Sequence, residues 1–464
     1  MFKGKNRIIM IKISRGGKMK TVLKQFKING FRNLTNVTLN LNDVTAIVGL
    51  NSYGKSNVIN AINMGIRFIK APSEEKIRYM SNRSMYPLLK KNAGTDFSLE
   101  FTAEIINENN EKADVTYGYT FSWNTEQSAR GINEEHLFIK SERSGGKHIS
   151  REGSAAKYKR SPQGRCQSKI DIDDDQLVIN KLENFDNLFY LEIVKALNGI
   201  DFQIIKDFDV SKSFLPARIA FYESGDMDSE NFFPGVVWLL KTKYKKKYKK
   251  LINSFKLLFP TIDRIECIKI PLTKDHETRS DDDSSVIFHE DLFTLSFKDS
   301  KLTQTLKFEF LSDGTKRIFY TLVCAVLSDI DNYSLMILEE PENSIHPSLL
   351  QSYLRILDDL SGDCKIIFTS HSPYMIQYLD LNDIYIGMPS SSGEADFRTI
   401  KKPEKLMKDA AKFDQSTGDF IFESLSFANA DDMLGEYLSE TTLDIDDTDS
   451  DDDDDWLNDD GGDE

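Results

Sequence analysis

The sequence predicts an α/β protein: a mixed β-sheet lobe beside a parallel-sheet core, with a helical insertion and a disordered acidic C-terminal tail. Three observations carry this. A strand-like run enters the glycine-rich segment Gly49-Leu-Asn-Ser-Tyr-Gly-Lys-Ser56 and a helical pattern leaves it. A β-helix-β pattern, typical of buried parallel sheet, spans Ser334 to Ser370. The last residues are almost purely anionic.

Taken in order, residues 1–18 precede the first strand pattern and are expected to be an N-terminal extension. Residues 19–175 form the first part of the main domain. They open with strands at Val22 to Ile28, Val37 to Leu41 and Val44 to Val48, with a turn at Asn29-Gly30. Beyond Lys55, the positions Val58, Ile59, Ile62, Ile66 and Ile69 recur at helical spacing. Hairpin alternation follows at Phe97 to Ile105, Val115 to Trp123 and His136 to Lys140. Lys140 to Lys169 holds nine Lys or Arg against two Glu, few large apolar residues and several turn signals, which predicts an exposed, mobile basic loop.

Residues 176–285 return to helical spacing at Leu188, Leu191, Val194 and Leu197 and again from Phe232 to Phe259, predicting a mainly helical insertion. Residues 286–400 resume strands and complete the main domain, and residues 401–443 form a helical segment. The tail, 444–464, is low in complexity and cannot bury enough apolar surface to offset its ordering entropy, so disorder is expected.

With 464 residues and 40% apolar content, the chain can bury a large core, and its length suggests two or three domains. No apolar run approaches the roughly 20 residues of a membrane span, and the N-terminus lacks the core and cleavage site of a secretory signal. Cys166, Cys267, Cys324 and Cys364 are scattered without metal spacing. A reducing cytoplasm is the expected location. The tail holds thirteen Asp or Glu and no Lys or Arg; removing those charges from the formal −15 leaves −2 for the body.

A polyphosphate needs many convergent donors with no side chain in the way. Gly49 and Gly54 allow backbone N–H groups to curl around one above a helix N-terminus. Lys55 would then neutralise phosphate oxygens and Ser56 would offer a hydroxyl to Mg2+. Asn51, Ser52, Tyr53 and Asn57 are the further loop positions expected to contact ATP. The hydrophobic strand ending at Glu339-Glu340 delivers two carboxylates to the edge where open α/β sheets bind ligands. Glu339 is a candidate metal ligand, and Glu340 is the candidate to orient or deprotonate an attacking water. His371 follows a buried strand and two small hydroxyl residues, and is read as a γ-phosphate contact.

Together these segments resemble the ABC-type ATPases of the SMC, RecF and overcoming lysogenisation defect (OLD) group. Gly49 to Ser56 is similar to Walker A, Leu311-Ser-Asp-Gly314 to the ABC signature, Leu335 to Glu340 to Walker B and Thr369-Ser-His371 to the switch histidine. Asn29-Gly-Phe-Arg-Asn33 resembles the N-terminal strand-turn of the group and adds Arg32 as a candidate nucleotide contact. The resemblance implies an ABC ATPase head, ATP and Mg2+ as cofactors, and a head-to-tail dimer or higher oligomer in which Ser312 and Gly314 cap the nucleotide of another copy. Glu339 stands where many relatives have Asp. The Q-loop glutamine has no assigned position; Gln163 and Gln167 lie in the basic loop.

Two functions follow as expectations. One is the sensor subunit of an antiphage defence complex, similar to the stand-alone ATPases of Septu and PARIS, controlling a separate nuclease or toxin. The other is a RecF-like DNA-maintenance ATPase. A transporter subunit ranks third because the Q-loop is missing. Lys241 to Lys250, with seven lysines and two interleaved tyrosines, and Lys140 to Lys169 are candidate nucleic acid contacts; a solvated helix face explains the first equally well. The acidic tail either keeps the protein soluble or competes for such a surface.

Overall fold

The computed structural model describes residues 19–125, 130–142, 144–205, 218–220, 233–272, 290–343, 345–427 and 429–441. The expectations for residues 1–18 and 444–464 lie outside the described residues. Strand β1 (Lys20–Asn29) turns at Gly30 into β2 (Val37–Asn40), and β3 (Val44–Val48) runs through the glycine loop into α1 (Lys55–Lys70) and α2 (Ser73–Met80). Gly30 has φ 68°, and a Cβ there would fall 2.1 Å from the Asp96 carbonyl oxygen, so only glycine fits this turn.

An antiparallel run follows: β4 (Phe97–Ile106), β5 (Lys112–Ser122), β6 (Gly131–Ser141), β7 (Gly145–Glu152), β8 (Ala155–Lys159) and β9 (Cys166–Ile170). With β1 and β2 these form an eight-stranded sheet in the order β2-β1-β4-β5-β6-β7-β8-β9. The stretch Lys140 to Lys169, expected to be a mobile loop, is therefore mostly strand. Beside Ile149 and Ala156, its buried side chains include polar ones that are hydrogen-bonded. Arg151 donates to the carbonyls of Gly153, Gln176 and Asp173, and Lys159 to Ser144 Oγ and the Gly145 carbonyl. Buried hydrogen bonds replace the apolar signal that a strand normally gives.

Next come α3 (Val178–Leu182), α4 (Leu191–Asn198), β10 (Phe202–Ile205), β11 (Arg218–Ala220), α5 (Phe233–Lys243), α6 (Lys245–Leu258) and β12 (Ile262–Leu272). The stretch 176–285, expected to be mainly helical, thus also contributes strands. β10 enters the central sheet beside the acidic strand, and β12 pairs along its length with β13 (Glu290–Asp299), which also pairs with β11 and β14 (Leu306–Lys307). A four-residue strand such as Phe202–Ile205 gives too short a pattern to stand out from helical surroundings.

The remainder is α7 (Asp313–Ile330), β15 (Leu335–Glu339), α8 (Pro347–Ser361), β16 (Lys365–Ser370), α9 (Pro373–Gln377), β17 (Ile384–Met388), β18 (Asp396–Thr399), α10 (Pro403–Lys412), α11 (Thr417–Leu425) and α12 (Ala430–Leu434). The central sheet runs β10-β15-β16-β3-β17-β18, parallel except for β18. Alternate residues divide between two cores. Ala46, Val48, Met336, Leu338, Ile366 and Phe368 face the cluster containing α7 and α8, whereas Ile47, Leu335, Ile337 and Ile367 face the cluster containing α1 and the eight-stranded sheet. Burial of each such Leu, Ile or Phe contributes about 1.5–3 kcal/mol, so the register that aligns the strand ends is held from both faces. All four cysteines are free thiols.

Candidate nucleotide site

Parallel pairing puts the C-terminal ends of β3, β15 and β16 side by side, with β16 in the middle. The glycine loop, Glu339-Glu340 and the histidine turn leave the sheet at this edge. The Gly49 N–H donates to the Ser370 carbonyl at 3.3 Å, tying the glycine loop to the turn that carries the histidine. Ser52 (φ 73°) and Gly54 (φ 88°) take left-handed backbone, which curls the loop onto the start of α1. Consecutive N–H groups in such a curl form an anion-binding concavity. The Lys55 side chain is buried, and its ammonium donates to the carbonyls of Gly49 and Leu50, both at 2.7 Å. Burial lowers the Lys55 pKa, partly offset by the charges of Glu340 and Glu342.

A pocket of about 180 Å³ lies here, lined by Asn51, Ser52, Gly54, Lys55, Ser56, Asn57, Glu339, Glu340 and Thr369. Eight of the sequence-selected residues therefore share one cavity. Arg32 reaches it indirectly: Nη1 donates to Asn57 Oδ1 at 2.8 Å and Nε to the Ser84 carbonyl at 3.0 Å, and Asn57 in turn donates to Asn33 Oδ1 at 2.7 Å. Tyr53 is outside the lining and lies beside Gly387.

Glu340 follows β15 with left-handed backbone, φ 47°. Its N–H donates to the Thr369 carbonyl at 3.0 Å, Asn343 Nδ2 donates to its Oε2 at 2.7 Å, and His371 Nδ1 lies 3.1 Å from its Oε1. His371 is thus joined to the pocket through Glu340. Glu342 is buried, and desolvation raises its carboxyl pKa; Ser370 Oγ donates to it at 2.6 Å and accepts from the Ser372 N–H at 3.0 Å.

Ser312 and Gly314 do not line this pocket. Ser312 caps α7, accepting from the Thr315 N–H at 3.3 Å, and Gly314 sits in the first turn. The helix starts at Asp313 rather than near Thr315. Gln163 and Gln167 lie in the β8-β9 turn and on β9, away from the pocket lining.

The sequence reading missed Arg317, Glu342 and Asn343. Arg317 Nη2 donates to the carbonyls of Glu339 at 3.0 Å and Glu340 at 2.8 Å. Its position at the end of the Leu311 to Arg317 segment was the available signal. Ser56 and Glu339 border the same cavity and supply one hydroxyl and one carboxylate, a donor set suited to Mg2+, which keeps several waters. Among the described residues there is no cluster of three or more His, Cys, Asp or Glu of the kind that cages a metal, and no helix is long and apolar enough to cross a membrane.

Residues 189–376 match the family described as "AAA domain, putative AbiEii toxin, Type IV TA system". No curated protein matches the chain. Among solved structures, the chain is similar to the SMC head domain from Thermotoga maritima, at 12% identity and TM-score 0.40, covering 82% of this chain and 99% of that one. It is also similar to an SMC head bound to the C-winged helix domain of ScpA, at 11% identity and TM-score 0.45, covering 83% and 99%. A third is the recombination mediator RecF, at 14% identity and TM-score 0.36, covering 82% and 99%. The matched segment contains the signature-like segment, the acidic strand and the histidine turn, and the glycine loop precedes it in sequence.

Proposed function

We propose that the protein binds ATP at the Lys55 loop, hydrolyses it between two copies of the chain, and uses that cycle to control a separate effector nuclease or toxin. The carrying observation is the shared cavity at one sheet edge, where the phosphate loop meets Glu339 and Glu340. Backbone N–H groups from Asn51 to Ser56 would cradle the phosphates, and Lys55 would release its two carbonyl partners to meet them. Ser56 and Glu339 would hold Mg2+, which supplies charge neutralisation across the phosphates. Glu340, aimed by Asn343 and His371, would orient or deprotonate the attacking water.

A cavity of about 180 Å³ is smaller than the roughly 300 Å³ or more of complete ligand sites. Ser312 and Gly314, at the positive end of α7, would close it from a second copy. The effector role draws on the toxin–antitoxin description of the matched family.

The second reading is a RecF-like ATPase that binds DNA directly. It is favoured by the outer face of the eight-stranded sheet, where Lys157 and Lys169 stand opposite each other in register. Like charges so placed repel, and a polyanion would relieve them. The Lys241 to Lys250 run supports it less, since Lys241, Lys247 and Lys250 are already bonded to Cys267, Asp329 and Asp359.

Purified protein with magnesium and ATP tests the reading. Lys55→Ala should weaken ATP binding tenfold or more, whereas Glu340→Gln should bind ATP normally and lose about 10²–10⁴ in kcat, as expected for a lost general base. Wild-type hydrolysis by Glu340→Gln would remove the assignment. DNA-stimulated hydrolysis by the lone protein favours the second function; toxicity that needs a neighbouring gene favours the first.

A further inference from the structure

We propose that Arg317 is a positioning residue for Glu340, tying the signature helix of each chain to that chain's own hydrolytic centre. This rests on the reading of Glu340 given above. Arg317 lies little more than one turn beyond the Ser312 cap, on the rigid helix that Ser312 begins. One nitrogen of its guanidinium holds two consecutive carbonyls, those of Glu339 and Glu340.

The bond falls where the backbone most needs support. Glu340 has φ 47°, a conformation that residues with a Cβ adopt only when their surroundings impose it. Its N–H is held by the Thr369 carbonyl of β16, and its carbonyl by Arg317 of α7 and by the Asn343 N–H at 3.1 Å. These bonds fix the peptide on either side of the Cα and therefore set where the carboxylate starts. Loss of the Arg317 bonds leaves the Thr369 and Asn343 backbone bonds in place but removes the clamp from α7 on both the Glu339 and Glu340 carbonyls, which loosens the peptides that carry Glu340. The carboxylate then swings away from the position at which His371 and Asn343 meet it.

The buried Nε of Arg317 has no hydrogen-bond partner. A group serving stability alone gains nothing from an unpaired buried donor, so the arginine is explained by the geometry of its paired nitrogen. The helix end of the contact is also fixed: Thr321 Oγ1 donates to the Arg317 carbonyl at 3.0 Å and Tyr353 OH to Thr321 Oγ1 at 2.8 Å. A shift of α7, such as Ser312 meeting a nucleotide on another copy would cause, is transmitted through the guanidinium to the Glu339-Glu340 peptide. The state of one site thereby sets the geometry of the water-activating group in the other.

The test uses the full chain with magnesium and ATP, comparing wild type, Arg317→Ala and Arg317→Lys in kcat, KM, ATP affinity and thermal unfolding. Misplacement of a reacting group predicts a fall in kcat of tenfold to about a hundredfold for Arg317→Ala, with ATP affinity and KM within about threefold of wild type. Arg317→Lys, which keeps a single donor group, should fold normally and recover part of kcat. An equimolar mixture of Arg317→Ala and Glu340→Gln should hydrolyse no faster than Arg317→Ala alone, because each chain then lacks a part that must act within its own site. Unchanged kcat in Arg317→Ala, equal losses in affinity and kcat, or recovery of hydrolysis in the mixture would each overturn the proposal. A wild-type protein that binds ATP without hydrolysing it would instead remove the reading of Glu340, and this inference with it.

Discussion

At the scale of single residues, the phosphate loop is constrained more by shape than by charge. At Gly54, with φ 88°, an added Cβ would sit 2.7 Å from Ala395 Cβ. Gly54→Ala is therefore expected to introduce about 1–2 kcal/mol of left-handed strain plus a steric clash, and to abolish ATP-dependent thermal stabilisation. Calorimetry with and without magnesium and ATP measures both; a variant still stabilised by ATP would show that the loop tolerates distortion. This loop was legible in the sequence because its chemistry is local, with glycines, lysine and serine at fixed spacing. Arg317, Glu342 and Asn343 were not, because their partners are backbone carbonyls and side chains brought in by tertiary structure. Nothing in the spacing from Ser312 to Arg317 says that the guanidinium will reach Glu340. Tyr53 fits the loop pattern yet lies outside the cavity, since a pattern does not say which way each side chain turns.

At the scale of elements, strands β7 to β9 show where polarity misleads. Their inner face carries His148, Arg151 and Lys159, and the composition that suggested a loop reflects a sheet face filled by hydrogen-bonded polar groups. His148 is fully buried. Its Nδ1 donates to the Gly146 carbonyl at 2.8 Å, so Nε2 is left to accept from Ser144 Oγ at 3.1 Å, while Lys159 donates to the same serine oxygen. Burial, opposed in part by the Gly146 bond and aided by Lys159, lowers the His148 pKa to about 4. In the unfolded chain the imidazole takes up its proton at its ordinary, higher pKa. The stability this residue supports is therefore complete above about pH 6.5 and declines as pH falls towards 4, by up to about 3 kcal/mol. Urea unfolding of wild type and His148→Gln at pH 7.5 and 4.5 checks this: the variant should lose less stability on acidification. The central strands were legible because β3, β15 and β16 are largely apolar runs, as parallel strands buried on both faces tend to be.

At the scale of the whole molecule, the cavity opens at one sheet edge while Ser312 begins a helix outside its lining, so assembly and catalysis should be linked. Glu340→Gln with ATP is expected to sediment as a dimer, and the same protein without nucleotide as a monomer. A single species under both conditions would separate oligomerisation from the nucleotide. If the protein binds DNA through its outer sheet, Lys157→Gln with Lys169→Gln should weaken binding across sequences and reduce the slope of log affinity against log salt by about 2. An unchanged slope would place the contact elsewhere.

The pairing of β3 with β16 joins Val44 to Ile366, positions 322 residues apart in sequence (366 − 44). During synthesis the glycine loop leaves the ribosome long before the strand that will lie beside it, and long-range pairing of this kind is slow to form. A nascent chain therefore carries β3 with both flanks open until β16 and β17 have been made. An interrupted product presents unpaired apolar strand edges, a surface for chaperones or aggregation.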